Sequence, residues 1–243
     1  ITANARDERT LITKGSLESM LAICTRIQAR DGVRTFDVAH RAEIDQRYSD
    51  WSSQGFRVLG VAFKAVDARP GSYAFADENE MIFAGFLIFM DPPKAGVRQA
   101  IADLAARGVR LKIITGDNQK VARHVAEAVN LPVTQIMTGS QLNDMNDEAL
   151  WHSAERTTIF AEVDPNQKER IILALRKTGH VVGYMGDGIN DAPALHAADV
   201  GISVDTAVDV AKEAADFVLL KQDLGILREG IDEGRRTFAN TIK

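Results

Sequence analysis

Cysteine occurs once in the 243-residue chain, as Cys24, so no disulfide can form within it, and such usage fits a reducing compartment. The five histidines are scattered, and with one cysteine they make no Cys/His spacing of the kind that binds zinc. Long hydrophobic runs are lacking: the longest, residues 82–90, falls well short of the roughly 20 apolar residues that span a bilayer. No secretory signal is read at the start. Excess positive charge is lacking as well; the formal net charge is −5, which argues against a nucleic-acid-binding surface. With 45% hydrophobic and 26% charged residues, what is left is an ordinary globular composition, at a length suiting one large or two modest domains. The chain opens on Ile1 rather than Met, inside what reads as a strand, and is therefore expected to be part of a longer protein.

What is there falls into two rhythms. The first part mixes element types: a strand over residues 10–13, a helix over 17–30 on the spacing of Leu17, Met20, Leu21, Cys24 and Ile27, a second helix over 39–54 and a strand over 56–66. A polar loop over 67–80 leads into one long apolar strand, 81–90. That strand ends at Asp91-Pro92-Pro93, where two prolines can donate to no ladder and hold the backbone extended. A plain loop stop and a rigid hinge both suit these residues; we place a domain boundary here, dividing 1–90 from 91–243. Beyond it, strands and helices alternate. Helices are predicted over 94–107, 118–129, 139–153 with a cap near Ser140, 165–177 with proline in its first turn, 192–197, 207–214 and from about 224 onward. Strands are predicted over 109–114, 134–137, 158–161, 180–185, 200–203 and 217–220. This alternation predicts an α/β fold, a doubly wound parallel sheet with ligands at the carboxyl ends of its strands.

Two strand ends carry the chemistry. The apolar run 181–185 stops at Gly186-Asp187-Gly188-Ile189-Asn190-Asp191, which sets two carboxylates, a carboxamide and two glycines within six residues. Oxygen ligands of that density suit a hard cation such as Mg²⁺, although an Asp/Gly turn between two elements has the same composition. The run 109–114 ends at Thr115-Gly116-Asp117-Asn118, where a hydroxyl and amides at a helix start can hold phosphate oxygens; Asp and Asn are also good N-caps, and both roles can coexist. Lys168 lies one turn into the helix after Asp164-Pro165, on the same carboxyl edge, where a point charge can neutralise phosphate. A solvated helix lysine is the ordinary alternative.

Thr115-Gly116-Asp117, Lys168 and the run from Gly186 through Asp191 to Ala192-Pro193-Ala194-Leu195, in this order, resemble the phosphorylation domain of P-type ATPases, ion pumps of the haloacid-dehalogenase superfamily. Asp91-Pro92-Pro93-Lys94 resembles the hinge motif of those pumps. Ala198 to Ile202 and Glu213 to Asp216 resemble their downstream stretch, and Gly234-Arg235-Arg236 onward the stalk toward a membrane helix. Upstream, Lys14-Gly15-Ser16 is similar to the lysine-glycine motif of the nucleotide domain, and Phe56-Arg57-Val58 to the strand carrying a nucleotide-binding arginine. Among subfamilies, the hinge and final segment are nearest to magnesium-transporting pumps.

The resemblance implies ATP and Mg²⁺ as cofactors, with Lys14, Gly15 and Arg57 on the nucleotide. It implies an aspartyl-phosphate intermediate, as carboxylate nucleophiles form. Thr115 and Gly116 would bind the transferred phosphoryl, Lys168 would stabilise it, Asp117 would touch the nucleotide, Asp187 and Asp191 would ligate the metal, and Asn190 and Asp191 would fix the loop. It implies a place on the cytoplasmic side of a membrane, reached through transmembrane segments and an actuator domain that these residues lack. Two departures stand out. The Asp-Lys-Thr-Gly-Thr nucleophile motif is absent, and in the family it precedes the part matched here, so the chain alone is expected to be inactive. Glu162 follows Phe160-Ala161 where many relatives carry arginine. Two other readings compete. A soluble phosphatase of the same superfamily would need an early nucleophile, for which only Asp7 and Asp31 stand outside helices. A binding module that has lost its chemistry is the other. Trp51, Trp151 and Met185 read as packing residues, His124 and His196 as helix residues without a catalytic task, and residues 144–148 as a solvated acidic face.

Overall fold

The computed structural model describes residues 2–3, 9–67, 73–221 and 223–242. They form two compact units, Ile1–Asp91 and Pro92–Lys243.

The first unit holds β1 (Thr2–Ala3), β2 (Arg9–Gly15), α1 (Leu17–Ala22), β3 (Cys24–Ala29), β4 (Gly32–Thr35), α2 (Val38–Ser53), β5 (Arg57–Val66) and β6 (Met81–Phe89). Its sheet has six strands in the order β1-β2-β5-β6-β3-β4, antiparallel except where β3 runs parallel to β6. One face is sealed by Leu17, Met20 and Leu21 of α1 and Ile44 of α2 over Leu11, Ala62, Met81 and Phe83. Trp51 packs edge-on against Phe86, with ring centroids 5.0 Å apart.

The helix predicted over 17–30 is shorter than its periodicity suggested. Ser16 caps α1 by accepting the Ser19 amide, and the helix stops at Ala22. Cys24 then pairs with Met81 and Ile27 with Phe83, so a parallel strand partner captures the segment. Burial pushes the Cys24 thiol up to about 11, so it behaves as a small core residue.

Lys14 lies opposite Val61 on the outer face of this sheet, and Arg57 lies on the same face opposite Phe89. On the inner face, Gly15 and Gly60 face each other under Met20. A Cβ at Gly60 would come within 2.9 Å of Met20 Cβ and 3.3 Å of a Phe83 ring carbon. Gly60→Ala is therefore expected to lower stability by about 1–2 kcal/mol, the overpacking outweighing the entropy gained by leaving glycine. Urea unfolding of Gly60→Ala beside the parent checks this; equal stability would show that the contact with Met20 and Phe83 is accommodated without cost.

The second unit holds α3 (Val97–Ala106), β7 (Ile113–Ile114), α4 (Gln119–Ala128), β8 (Ile136–Thr138), α5 (Gly139–Asn143), α6 (Asp147–Ala154), β9 (Ile159–Ala161), α7 (Pro165–Lys177), β10 (Gly183–Met185), α8 (Ala192–Ala197), β11 (Val200–Val204), α9 (Asp209–Glu213), β12 (Phe217–Leu219) and α10 (Gly225–Thr241). Every strand pairing here is parallel, in two sheets of three strands, β7-β9-β8 and β10-β11-β12. β7 and β10, whose carboxyl ends carry the two motifs, are each an outer strand of their sheet. A core including Phe160, Ile171, Leu175, Tyr184 and Leu195 joins strands of both sheets through α7 and α8.

The single helix predicted over 139–153 is two. Thr138, not Ser140, caps α5 in a capping box with Gln141, and Asn146 caps α6 by accepting the Ala149 amide. Arg170 of α7 fills the break, donating to Leu142 O at 2.7 Å and Met145 O at 2.6 Å. α10 is tied to α3 by paired Arg107–Asp232 hydrogen bonds, both 2.7 Å. Among the described residues, no helix is long and apolar enough to cross a membrane.

Candidate active site

β10 leads into Gly186-Asp187-Gly188, and a 3₁₀ turn over Ile189–Asp191 folds Asp191 back against the strand end. Asp191 Oδ1 accepts from Lys168 Nζ at 2.8 Å and from the Tyr184 hydroxyl at 2.7 Å. Its Oδ2 accepts from the amides of Asp187 at 3.2 Å and Gly188 at 3.0 Å. The ion pair is largely dry, with side chains 14% (Lys168) and 11% (Asp191) exposed. Burial alone would raise the Asp191 carboxyl, but the hydrogen bonds from Lys168, Tyr184 and the Gly188 amide outweigh it and hold the group below the usual carboxylate range. Burial, and then the bond to Asp191, push the Tyr184 phenol far up, so it stays a donor.

These contacts separate the two carboxylates that the motif brings together. A carboxylate offers about four lone-pair positions, and those of Asp191 are taken by protein donors. Asp191, expected from the sequence both at the metal and as a residue that fixes the loop, holds the loop in this arrangement through those four donors. Asp187 is exposed at the strand end, beside a cavity of about 400 Å³ that Lys94, Lys221 and Thr206 also line. Gly186 is required by this geometry: a Cβ there would lie 2.5 Å from Asp191 Cβ. The Ser203 hydroxyl donates to Gly186 O at 3.0 Å, and the Val208 amide to Asp187 O at 3.1 Å. Asn190 stands exposed on the 3₁₀ turn.

Lys168 reaches Asp191 because α7 starts where it does. Asp164 caps the helix in a reciprocal box with Gln167, with Pro165 in the first turn, which puts Lys168 one turn in.

At the other strand end, the Asp117 amide donates to Thr115 Oγ1 at 3.1 Å, and Asn118 caps α4 by accepting the Lys120 amide. Thr115 and Asp117 are half-buried and Gly116 is exposed, so the turn shows backbone outward at the amino end of α4. Lys14, Gly15 and Arg57 lie in the first unit; Ile12, Leu87 and Phe89 are exposed on the face that Lys14 and Arg57 share. Asp31 sits in the turn between β3 and β4, ion-paired with Arg34; Asp7 lies outside the described residues.

A family model described as haloacid dehalogenase-like hydrolase matches residues 61–199, more than half the chain. The chain belongs to the haloacid dehalogenase-like hydrolase family. A second model, P-type ATPase, cytoplasmic domain N, matches residues 1–96. This haloacid dehalogenase-like chain is 44% identical, over its whole length, to "Magnesium-transporting ATPase, P-type 1" of Escherichia coli (strain K12), of which it covers 27%. Identity and coverage are the same for the protein so described from Salmonella typhimurium (strain LT2), 44% and 27%. It is 34% identical over its whole length to "Calcium-transporting ATPase" of Bacillus subtilis (strain 168), covering 28% of that protein. The chain therefore spans about a quarter of the length of these relatives.

Tyr184 and Ser203 are the site residues that sequence reasoning missed. Both sit in apolar strand segments, and nothing local marks their hydroxyls as loop anchors.

Proposed function

We propose that this chain is the nucleotide-handling and phosphoryl-transfer portion of a P-type cation pump, lying on the cytoplasmic side of a membrane that other segments of the parent protein cross. Residues 1–90 are then the second part of a nucleotide-binding domain, and residues 91–243 a phosphorylation domain whose acceptor aspartate is supplied by a segment outside them. Magnesium is the proposed cargo, because identity to the magnesium-transporting relatives, 44%, exceeds the 34% to the calcium-transporting one.

The observation that carries this reading is the Lys168–Asp191 pair, which braces the loop so that Asp187 is left facing the cavity. Mg²⁺ is bound by one or two carboxylates, with water and substrate phosphate completing its shell. Asp187 fits that need, and among the described residues no group of three or more His, Cys, Asp or Glu offers a protein-only cage. When bound, the metal offsets phosphate charge during in-line transfer. The chain's own residues do the rest. The outer sheet face with Lys14 and Arg57 receives the nucleotide, its exposed Ile12, Leu87 and Phe89 offering apolar surface to the base. Thr115 and the amides of the following turn receive the phosphoryl oxygens at the start of α4. Lys168 adds a positive charge that Asp191 orients. β7 and β10, each paired on one side, offer parallel edges for a strand carrying the acceptor.

Calorimetric titration of the chain with a non-hydrolysable ATP analogue, with and without Mg²⁺, tests the nucleotide half. Binding that falls about tenfold in Lys14→Ala, the scale of one lost charge-assisted contact, is the expected result. Equal binding by Lys14→Ala and the parent would remove Lys14 from the site.

A further inference from the structure

Among the described residues, three besides glycine adopt positive φ: Glu80, Asn130 and Glu162. The third follows β9 and sits directly against the Thr115-Gly116-Asp117 turn. At φ 58° it occupies the left-handed region that a long side chain avoids. Such a conformation persists only where the surroundings over-determine it, and here they do. The Glu162 amide donates to Asp117 O at 2.9 Å, and the Val163 amide to Thr115 O at 3.2 Å. Behind it, Glu162 O presses on Gly139, where a Cβ would lie 2.3 Å from that oxygen. Gly139 is held in turn by buried Gln167, whose Nε2 donates to Gly139 O at 2.9 Å. The side chain then turns forward: Glu162 Oε1 accepts the amide of Gln119, the first residue of α4, at 3.1 Å.

We propose that Glu162 is a positioning residue for the phosphate-facing turn, holding Asp117 through its backbone amide and Gln119 through its carboxylate while the next amide, of Val163, holds Thr115. Glycine or asparagine would adopt this φ with less strain. Neither would reach the Gln119 amide, so the choice of glutamate is accounted for by the second contact. This inference rests on the functional reading above, in which that turn receives the transferred phosphoryl group. Misplacing a turn by a fraction of an ångström slows transfer while leaving nucleotide affinity, set on the first unit, largely intact.

The test uses the full-length protein in ATP-driven phosphorylation, comparing Glu162→Gly, Glu162→Gln and Asp187→Asn. Glu162→Gly relieves the backbone strain and removes the side-chain acceptor; its melting temperature is expected to stay within a few degrees of the parent. Its phosphorylation rate is expected to fall about tenfold or more, with KM for ATP changed less than about twofold. Glu162→Gln keeps an acceptor oxygen and should restore most of the rate. A Glu162→Gly protein as fast as the parent, or a Glu162→Gln protein as slow as Glu162→Gly, overturns the proposal. If Asp187→Asn also phosphorylates normally, the functional reading has failed, and the positioning claim is decided on the 243-residue chain itself. There, amide hydrogen exchange at Gln119 should speed up in Glu162→Gly and not in Glu162→Gln. Unchanged Gln119 protection in Glu162→Gly overturns the claim in that case too.

Discussion

Asp187→Asn in the full-length protein is expected to lower ATP-driven phosphoenzyme formation by about a thousandfold, the scale set by removing one preorganised electrostatic partner of the reacting phosphate. The substitution keeps the size of the side chain and deletes its charge. Asp187 is exposed, and the loop it stands on is held by its backbone: its amide donates to Asp191 Oδ2 and its carbonyl accepts from Val208. The folded state should therefore be untouched, with a melting temperature within a degree or two of the parent. Phosphoenzyme trapped from labelled ATP across a range of Mg²⁺ concentrations reads the effect. A partial recovery at high Mg²⁺ is the signature of a lost metal ligand. Normal phosphorylation at all Mg²⁺ concentrations would remove Asp187 from the chemistry.

Asp191→Ala is expected to act in the opposite way, on the fold first. It strands the nearly buried Lys168 ammonium and leaves the Tyr184 hydroxyl and two loop amides without their acceptor. Breaking a buried pair by removing one partner lowers stability by about 3 kcal/mol or more. Removing both charges, in Lys168→Met with Asp191→Leu, should recover part of that loss, since no unpaired ion remains. Chemical denaturation of the 243-residue chain gives all three numbers. The pH dependence supplies a second check. The folded-state pKa of Asp191 is lowered, so its stabilisation is fully present above the unfolded carboxylate value near 3.9 and is lost as pH falls through the folded value below it. The stability gap between the parent and Asp191→Asn should accordingly hold from neutral pH down to about pH 4 and close below that. A gap independent of pH down to the acid limit would mean that the carboxylate charge is not what holds the loop.

The elements read correctly from sequence are those whose signals are local. The helix at Pro165–Lys177 is announced by Asp164, Pro165 and Gln167, all within its cap. α2 and α8 lie within a residue or so of their predicted spans. The errors occur where a distant partner decides. Residues 24–29 have helical spacing, but β6, more than fifty positions later, claims them as a strand. Asp31-Gly32 turns the chain from β3 into its antiparallel neighbour β4, which a helix running to residue 30 excludes. The predicted helix over 139–153 breaks where Arg170 supplies donors to carbonyls at Leu142 and Met145. In the site, both motif carboxylates are visible in the sequence, whereas the Tyr184 hydroxyl that helps hold Asp191 is not.

By itself the sequence determined the α/β alternation, the two polar strand ends and the set of residue types suited to phosphate and a hard cation. Such features depend on periodicity, caps and neighbours a few positions apart. Tertiary structure decided which carboxylate faces outward. Lys168 stands 23 positions from Asp191, and only the crossover through α7 brings the two together under Gly186, in a space left by the missing side chain. It also decided that Glu162 takes a strained backbone. The reason lies in Gly139, Asp117 and Gln119, three groups that no local pattern connects and that only the packed second unit sets around one residue.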